Sequence, residues 1–323
     1  MTGKGLSDVS MSIGTDFVII IAGHIVVDEI IDRAGQLVPR KALGGAPSYS
    51  SLALASLGYK PEIVTHIGDD FPDNYARLIK ERTGINVHRW IAPGFKTTSY
   101  RIDRSGEHRR LWLAAKCREL GIEDFRAYLT DPPTAKAIVL NPVAGEISLS
   151  LLERVSKEFE FVFVDSQGFV RRFDKKTGEV GMRAGLDISA LAGVDVLKAD
   201  QEELEAWSGT SNKESAIRQL SKFVSILLVT SGPSRVEVYE HGELRMKASP
   251  FKVQVADTTG AGDIMLSSFA ARFTETSDLQ RALLFAVTAS TLAVRNYGIV
   301  KALLSKLEVE NQSALVQLQV ESP

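Results

Sequence analysis

The 323-residue chain has a single cysteine, Cys117. One thiol can form neither an intrachain disulfide nor a thiolate zinc cage, which agrees with a reducing, cytoplasmic setting. Long apolar runs are also missing. The longest near the start, residues 17–22, is too short to cross a bilayer, and no basic region with a secretory core precedes it. Charge of one sign is not in excess: 38 Lys and Arg against 40 Asp and Glu leave a net charge of -2. Neither a basic field for nucleic acid nor a polybasic stretch for a membrane surface is present. There is no Gly-x4-Gly-Lys-Ser/Thr loop and no His-Glu-x-x-His. The five histidines, His24, His66, His88, His108 and His241, are scattered without metal-ligand spacing. His24 follows the first apolar run, where either a polar ligand contact or a backbone hydrogen bond is open to it. Trp90, Trp112 and Trp207 read as packing.

Apolar residues make up 44% of the chain, enough for a sizeable core. Short β-rich runs at 17–22, 62–67, 137–140, 161–164, 194–197 and 226–230, most of them apolar, read as strands. Helical stretches at 47–57, 74–83, 149–158, 200–207 and 212–223 lie among them. That alternation predicts an α/β fold, a mostly parallel sheet with helices on both faces. Residues 26–43, turning at Ala34-Gly35, and 97–113, turning at Ser105-Gly106, read as hairpins without crossover helices. They predict a small separate β-sheet, either a lid or a dimerisation surface. Residues 1–15 read as a flexible leader, 16–310 as one domain with the β elements near 26–43 and 97–114, and 311–323 as a tail that is a last helix or disordered.

The strongest local signal is Asp257-Thr-Thr-Gly-Ala-Gly-Asp263, followed by apolar residues at helical spacing through Phe273. Glycines at a loop-to-helix entry let backbone amides face outward, and the helix dipole adds positive potential. An acid in the first turn then stands beside whatever anion the amides hold. This suits phosphoryl transfer: amides take the developing charge and the carboxylate accepts a hydroxyl proton. For Gly-x-Gly-Asp alone, capping and dipole chemistry is the competing reading. Gly260-Ala-Gly262 lacks the third glycine of a dinucleotide fingerprint and lies far from a first βαβ unit.

The full seven-residue string resembles the second signature of the PfkB, or ribokinase-like, carbohydrate and nucleoside kinases. Gly23 with Asp28 and then Gly44-Gly45 resembles the first signature; Gly68-Asp-Asp70, Lys198-Ala-Asp200-Gln-Glu-Glu203 and Thr230-Ser-Gly232 resemble further family segments. The resemblance covers roughly residues 17–305 and implies a ribokinase-like three-layer sandwich with a β lid. It implies Asp263 as catalytic base and Gly260, Ala261 and Gly262 as anion hole. Lys198, Asp200, Thr230, Gly232, Thr258, Ala289 and Asn296 would bind ATP, and Glu203 would act through water on Mg2+. Asp28, Gly44, Gly45, Ser48, Gln167 and Arg171 would bind a small polyol or sugar. The resemblance admits a monovalent cation and a homodimer through the lid. Asp200 departs from the family's asparagine and adds a negative charge; Met265 stands where an aromatic residue is common and reads as packing.

Substrate choice rests on fewer residues. The turn Gly45-Ala-Pro-Ser48-Tyr49-Ser50, the stretch Thr97-Thr-Ser-Tyr100 with His108-Arg-Arg-Leu111, and Asp165-Ser-Gln167-Gly-Phe-Val-Arg171 are similar to the inositol-kinase branch. Gln167 and Arg171 follow a strand end, the edge where open α/β sheets bind ligands, although Arg171-Arg172 also reads as a solvated pair. The expectation is ATP-dependent phosphorylation of a cyclic polyol, myo-inositol first. Another sugar, 2-keto-3-deoxygluconate or a nucleoside remains open as acceptor. So does a non-catalytic sugar- or nucleotide-binding protein on the same scaffold.

Overall fold

The computed structural model describes residues 17–31, 40–104, 110–129 and 135–321. In chain order they form β1 (Val18–Ala22), β2 (Val26–Ile31), β3 (Arg40–Gly44), α1 (Ala46–Ser56), β4 (Lys60–Val64), α2 (Asp73–Thr83), β5 (Ser99–Asp103) and β6 (Arg110–Ala115). Then come β7 (Ala135–Leu140), α3 (Leu149–Val155), β8 (Phe161–Asp165), α4 (Gln167–Val170), β9 (Arg171–Phe173), β10 (Val180–Met182), β11 (Val196–Asp200), α5 (Gln201–Ser208) and α6 (Lys213–Leu220). The remainder is β12 (Ile226–Thr230), β13 (Val236–Glu240), β14 (Glu243–Ser249), α7 (Ala261–Thr276), α8 (Leu279–Ala293), α9 (Lys306–Gln312) and β15 (Gln317–Val320).

The apolar runs become the middle of a nine-stranded sheet ordered β15-β14-β13-β12-β11-β8-β7-β1-β4. From β12 to β4 every pairing is parallel; from β12 to β15 every pairing is antiparallel. Pleating sends alternate side chains to opposite faces, so a run buried throughout must serve two cores. Ile19, Ile21, Ala137, Val139 and Phe163 pack with α1, α7 and α8 on one face. Ile20, Ala22, Ile138, Leu140 and Val162 pack with α3, α5 and α6 on the other. Each fully buried Ile or Leu contributes roughly 1.5–3 kcal/mol through burial, so these faces hold the strand ends, and the loops on them, in place.

The two hairpins join through parallel β2 and β5 into one four-stranded sheet, β3-β2-β5-β6. Their two turns lie outside the described residues. This sheet roofs one end of the main sheet: Val26, Tyr100 and Ile102 pack on Val143 and Ala144 of the β7–α3 connection. The short β9–β10 hairpin, absent from the sequence reading, extends the roof, with the Leu113 amide donating to the Gly178 carbonyl at 2.8 Å. The last segment is neither wholly helical nor irregular. After α9, β15 pairs antiparallel with β14 and forms the sheet edge. No helix of the described residues is long and apolar enough to cross a membrane.

Candidate active site

Two cavities meet at the start of α7. The larger, about 640 Å3, has an apolar wall of Phe251, Val253, Val255, Met265, Val287 and Val294, with Lys198, Thr230, Gly232, Arg235 and Thr258 around it. The smaller, about 100 Å3, is ringed by Asp28, Tyr49, Tyr100, Gln167, Arg171 and Thr259 under the small sheet. Four consecutive residues divide between them. Ala261 and Gly262 line the large cavity; Gly260 and Asp263 line the small one. The helix start is therefore the partition between the two spaces.

Local geometry explains why the partition is built from glycine. Gly260 precedes α7 at φ 78°, the left-handed region, and a Cβ there would lie 2.5 Å from Cγ of Tyr49. Any side chain would meet both strain and a clash. Gly45, before α1, is fixed likewise: its φ is 83°, and a Cβ would lie 2.4 Å from the His24 carbonyl oxygen. At Gly262 the neighbour is Lys198, whose Nζ would be 3.3 Å from an added Cβ. Of the three amides expected to form the anion hole, that of Ala261 is already engaged, donating to the Thr258 carbonyl at 3.2 Å across a tight turn. The Gly262 and Asp263 amides belong to the first helical turn, where the helix itself offers no acceptor.

Electrostatics are set by a buried cluster at the strand ends. Lys198 Nζ donates to Asp165 Oδ2 at 2.7 Å, with Asp165 fully buried at the end of β8. Desolvation opposes the Lys198 charge, but Asp165 and Glu203 outweigh it and hold the ammonium protonated. Burial pushes Asp263 up to about 6; Asp165 adds to the rise, while Lys198, Arg171 and the Asn141 amide pull it back. Burial likewise raises Glu203 to about 7 against the opposing pull of Lys198. Asp200 and Glu203 form a reciprocal cap on α5: the Glu203 amide donates to Asp200 Oδ1 at 2.8 Å, and the Asp200 amide to Glu203 Oε2 at 2.9 Å. Aspartate caps a helix as well as asparagine does, so the departure at 200 is accommodated locally.

Lys198, Thr230, Gly232 and Thr258 line the large cavity; Asp28, Gly45, Gln167 and Arg171 line the small one. Gly44 lies just outside, its Cβ position 2.6 Å from Asp28 Oδ2. Three of the expected residues, Ala289, Asn296 and Ser48, line neither cavity. On α8 the large cavity takes Val287, Ser290, Thr291 and Val294, one helical stripe. Ala289 faces the core instead, and Asn296 lies exposed beyond the helix. Ser48 is buried within α1 with an unpartnered hydroxyl, and its neighbour Tyr49 reaches the cavity. Arg171 begins β9 and points inward, donating to the Val143 carbonyl at 2.8 Å, while Arg172 is exposed. His24 is pinned by Arg118 O at 2.8 Å and Thr98 Oγ1 at 2.7 Å and lines neither cavity, so its hydrogen-bonding reading is the one realised. Asp69 and Asp70 hold the approach to β5 by accepting from the Gly94 and Thr97 amides, both at 2.7 Å.

Residues that sequence reasoning missed come from distant segments. Arg104, just past β5, donates to Thr259 Oγ1 at 2.7 Å and lies 3.7 Å from Asp257. Lys301 reaches the same loop from the turn after α8. Burial alone would raise Asp257, but the Lys301 ammonium and the Thr259 amide hold it down at about 2. Tyr49, named in the turn at 45–50 without a site role of its own, reaches the small cavity; Arg104 and Lys301 carry no motif.

Comparison with known proteins places this geometry. The chain is 28% identical over 267 residues to a fructokinase of Klebsiella pneumoniae, covering 78% of this chain and 82% of that protein. It is 25% identical over 317 residues to an inositol 3-kinase of Arabidopsis thaliana, covering 94% and 82% respectively. Its fold superposes with a TM-score of 0.73, at 22% identity, on a pyrophosphate-dependent kinase of the ribokinase family complexed with a pyrophosphate analog and myo-inositol, over 91% of this chain and 99% of that one. A single family model spans residues 22–305, from the end of β1 to the residue before α9, and by it this chain belongs to the pfkB family of carbohydrate kinases.

Proposed function

We propose that the chain transfers the γ-phosphoryl group of ATP to a hydroxyl of a small cyclic polyol, with myo-inositol the first candidate. The observation that carries this reading is the division of residues 260–263 between a large cavity and a small one. A nucleoside triphosphate in the large cavity would lay its base on the apolar wall and its phosphates toward Gly262 and Lys198. An acceptor in the small cavity would meet Asp28, Gln167 and Arg171, a set of donors and acceptors that suits several hydroxyls. Asp263 accepts the acceptor's O–H proton as the new O–P bond forms and the bond from Pγ to the departing ADP breaks. The Gly260 and Gly262 amides and the Lys198 ammonium face the charge that develops on the phosphoryl oxygens. The small sheet excludes water from that space and limits transfer to it.

Magnesium fits the residues present. The described residues contain no cluster of three or more His, Cys, Asp or Glu that would cage a metal by themselves. Mg2+ keeps several waters and shares its shell with substrate phosphates, so Glu203 in the first turn of α5, beside Asp200 at the end of β11, would hold it through water. Bound there, the ion would neutralise phosphate charge.

The apolar wall favours ATP over pyrophosphate, which has no surface to place on it. The small volume beside Asp263 favours a polyol over a nucleoside, whose base needs an apolar shelf. The test is a panel of myo-inositol, ribose, fructose, 2-keto-3-deoxygluconate and nucleosides with ATP or pyrophosphate as donor. ADP release should be largest for ATP with myo-inositol. Turnover of a nucleoside with an inert inositol would overturn the acceptor assignment, and turnover with pyrophosphate alone would overturn the donor.

The rate should also report on Asp263. Its carboxyl must be ionised to accept a proton, and it titrates at about 6. We therefore expect kcat/KM to be flat above that pH and to fall roughly tenfold per pH unit below it. A profile flat down to pH 4 would remove Asp263 from the base role.

A further inference from the structure

Lys301 is fully buried, yet it does not serve the apolar core. Its Nζ meets three oxygens: the Asp257 carbonyl at 2.8 Å, the Thr259 carbonyl at 2.9 Å and Asp257 Oδ2 at 2.8 Å. All three belong to the segment that runs directly into Gly260. The same segment is tied from other sides. The Ala256 and Asp257 amides donate to the Val294 carbonyl at 2.8 and 3.2 Å, and Arg104 reaches Thr259 Oγ1 from the small sheet. Two converging carbonyls and a carboxylate oxygen are hard donors of the kind that hold alkali cations. A free monovalent cation does not fit at this loop, because the oxygens that would coordinate it are bound to the lysine.

Energetics argue against a merely structural role. Burying an ammonium forfeits its hydration, and a well-packed apolar side chain often stabilises a fold as well or better. A charge kept here is better explained by what it orients. We propose that Lys301 is an internal monovalent cation, a positioning residue that fixes residues 257–259 so that the Gly260 and Gly262 amides and Asp263 face the transferring group. Phosphoryl transfer then needs no added potassium or sodium. The activity arm of this inference rests on the kinase reading above; the cation cage itself does not.

The experiment compares wild type with Lys301→Ala, which opens room for an ion, and Lys301→Met, which fills that room without charge. Each is assayed in tetramethylammonium buffer with and without K+, Na+ or NH4+. Wild-type turnover should be unchanged by any of these ions. Lys301→Ala should lose about 100-fold in kcat, the scale expected when a catalytic group shifts by about an ångström, and regain most of it with K+ or NH4+. Lys301→Met should lose activity and not regain it. Melting temperature, read without nucleotide or acceptor, should rise with K+ or NH4+ for Lys301→Ala alone. Wild-type activation by K+ or Na+ would overturn the proposal, as would a Lys301→Ala variant fully active without ions. So would one whose activity and melting temperature ignore all of them. If either variant fails to fold, the wild-type ion response still decides. Absence of wild-type turnover with every acceptor would instead count against the kinase reading, and the melting experiment would still judge the cage.

Discussion

Asp263→Asn is expected to lower kcat by about 10²–10⁴-fold, the usual contribution of a positioned general base, while leaving affinity for ATP within a few fold. The substitution keeps shape and removes only the ability to accept a proton. The proposed nucleotide contacts lie across the partition, on the side of Ala261 and Gly262, so they should persist. Stability should not suffer. Folding raises the Asp263 carboxyl from 3.8 to about 6, so the folded chain holds more protons between those values. Ionising Asp263 therefore weakens the fold as pH rises through that window, and above it the full penalty is present. A neutral amide removes the penalty, and the melting temperature at pH 7 should equal or exceed that of the parent. Kinetics, titration calorimetry with ATP and a thermal melt check the three parts. Unimpaired turnover would overturn the mechanism, and a wild type with no magnesium-dependent turnover to lose would favour a binding protein over an enzyme.

Lys198→Met should destabilise the chain by about 3–5 kcal/mol, because it strands the fully buried Asp165 charge. Urea unfolding would show this as a lower midpoint at unchanged slope. Adding Asp165→Leu removes the stranded charge, and the double variant should recover most of the loss, since a buried pair replaced by apolar side chains is often neutral. Activity should behave differently. Lys198 lies against Gly262 in the wall of the large cavity, where its ammonium would face the phosphates of a bound nucleotide. The stable double variant should therefore remain down by about 10²–10³-fold in kcat, as expected for loss of one transition-state donor. A double variant that recovers both stability and rate would show that the pair is structural only.

These expectations draw on residues of two kinds, and the difference explains what a linear chain discloses. The pattern that makes a buried parallel sheet is local. Runs such as residues 226–230 must pack on two faces because four successive positions, Ile226 to Val229, are apolar, and β12 occupies those residues. Gly260 and Gly262 with Asp263 are also local, since a helix entry fixes amides and acid relative to one another within one turn. Edge strand β15 shows the converse. Its residues, Gln317-Leu-Gln-Val320, are half polar and largely exposed, and they are held by backbone bonds to β14. Backbone pairing needs no particular side chain and leaves little pattern to read. The placement of Ala289 has a similar origin: it lies on α8, but the stripe of α8 that faces the large cavity, Val287, Ser290, Thr291 and Val294, depends on how α8 rotates against α7.

The layered α/β class, the separate small sheet, and a glycine-lined helix start with an acid in its first turn were legible in the linear chain, because each is enforced by side-chain period or by contacts within a few residues. Only the tertiary structure decided that residues 260–263 separate two cavities, that Asp165 holds Lys198, and that Arg104 and Lys301 grip the loop at 257–259. Those partners lie 33 to 155 positions apart along the chain. Single charged residues at such separations carry no periodicity. Their meeting is fixed by strand order and crossover connections, which set geometry through the packing of the whole core.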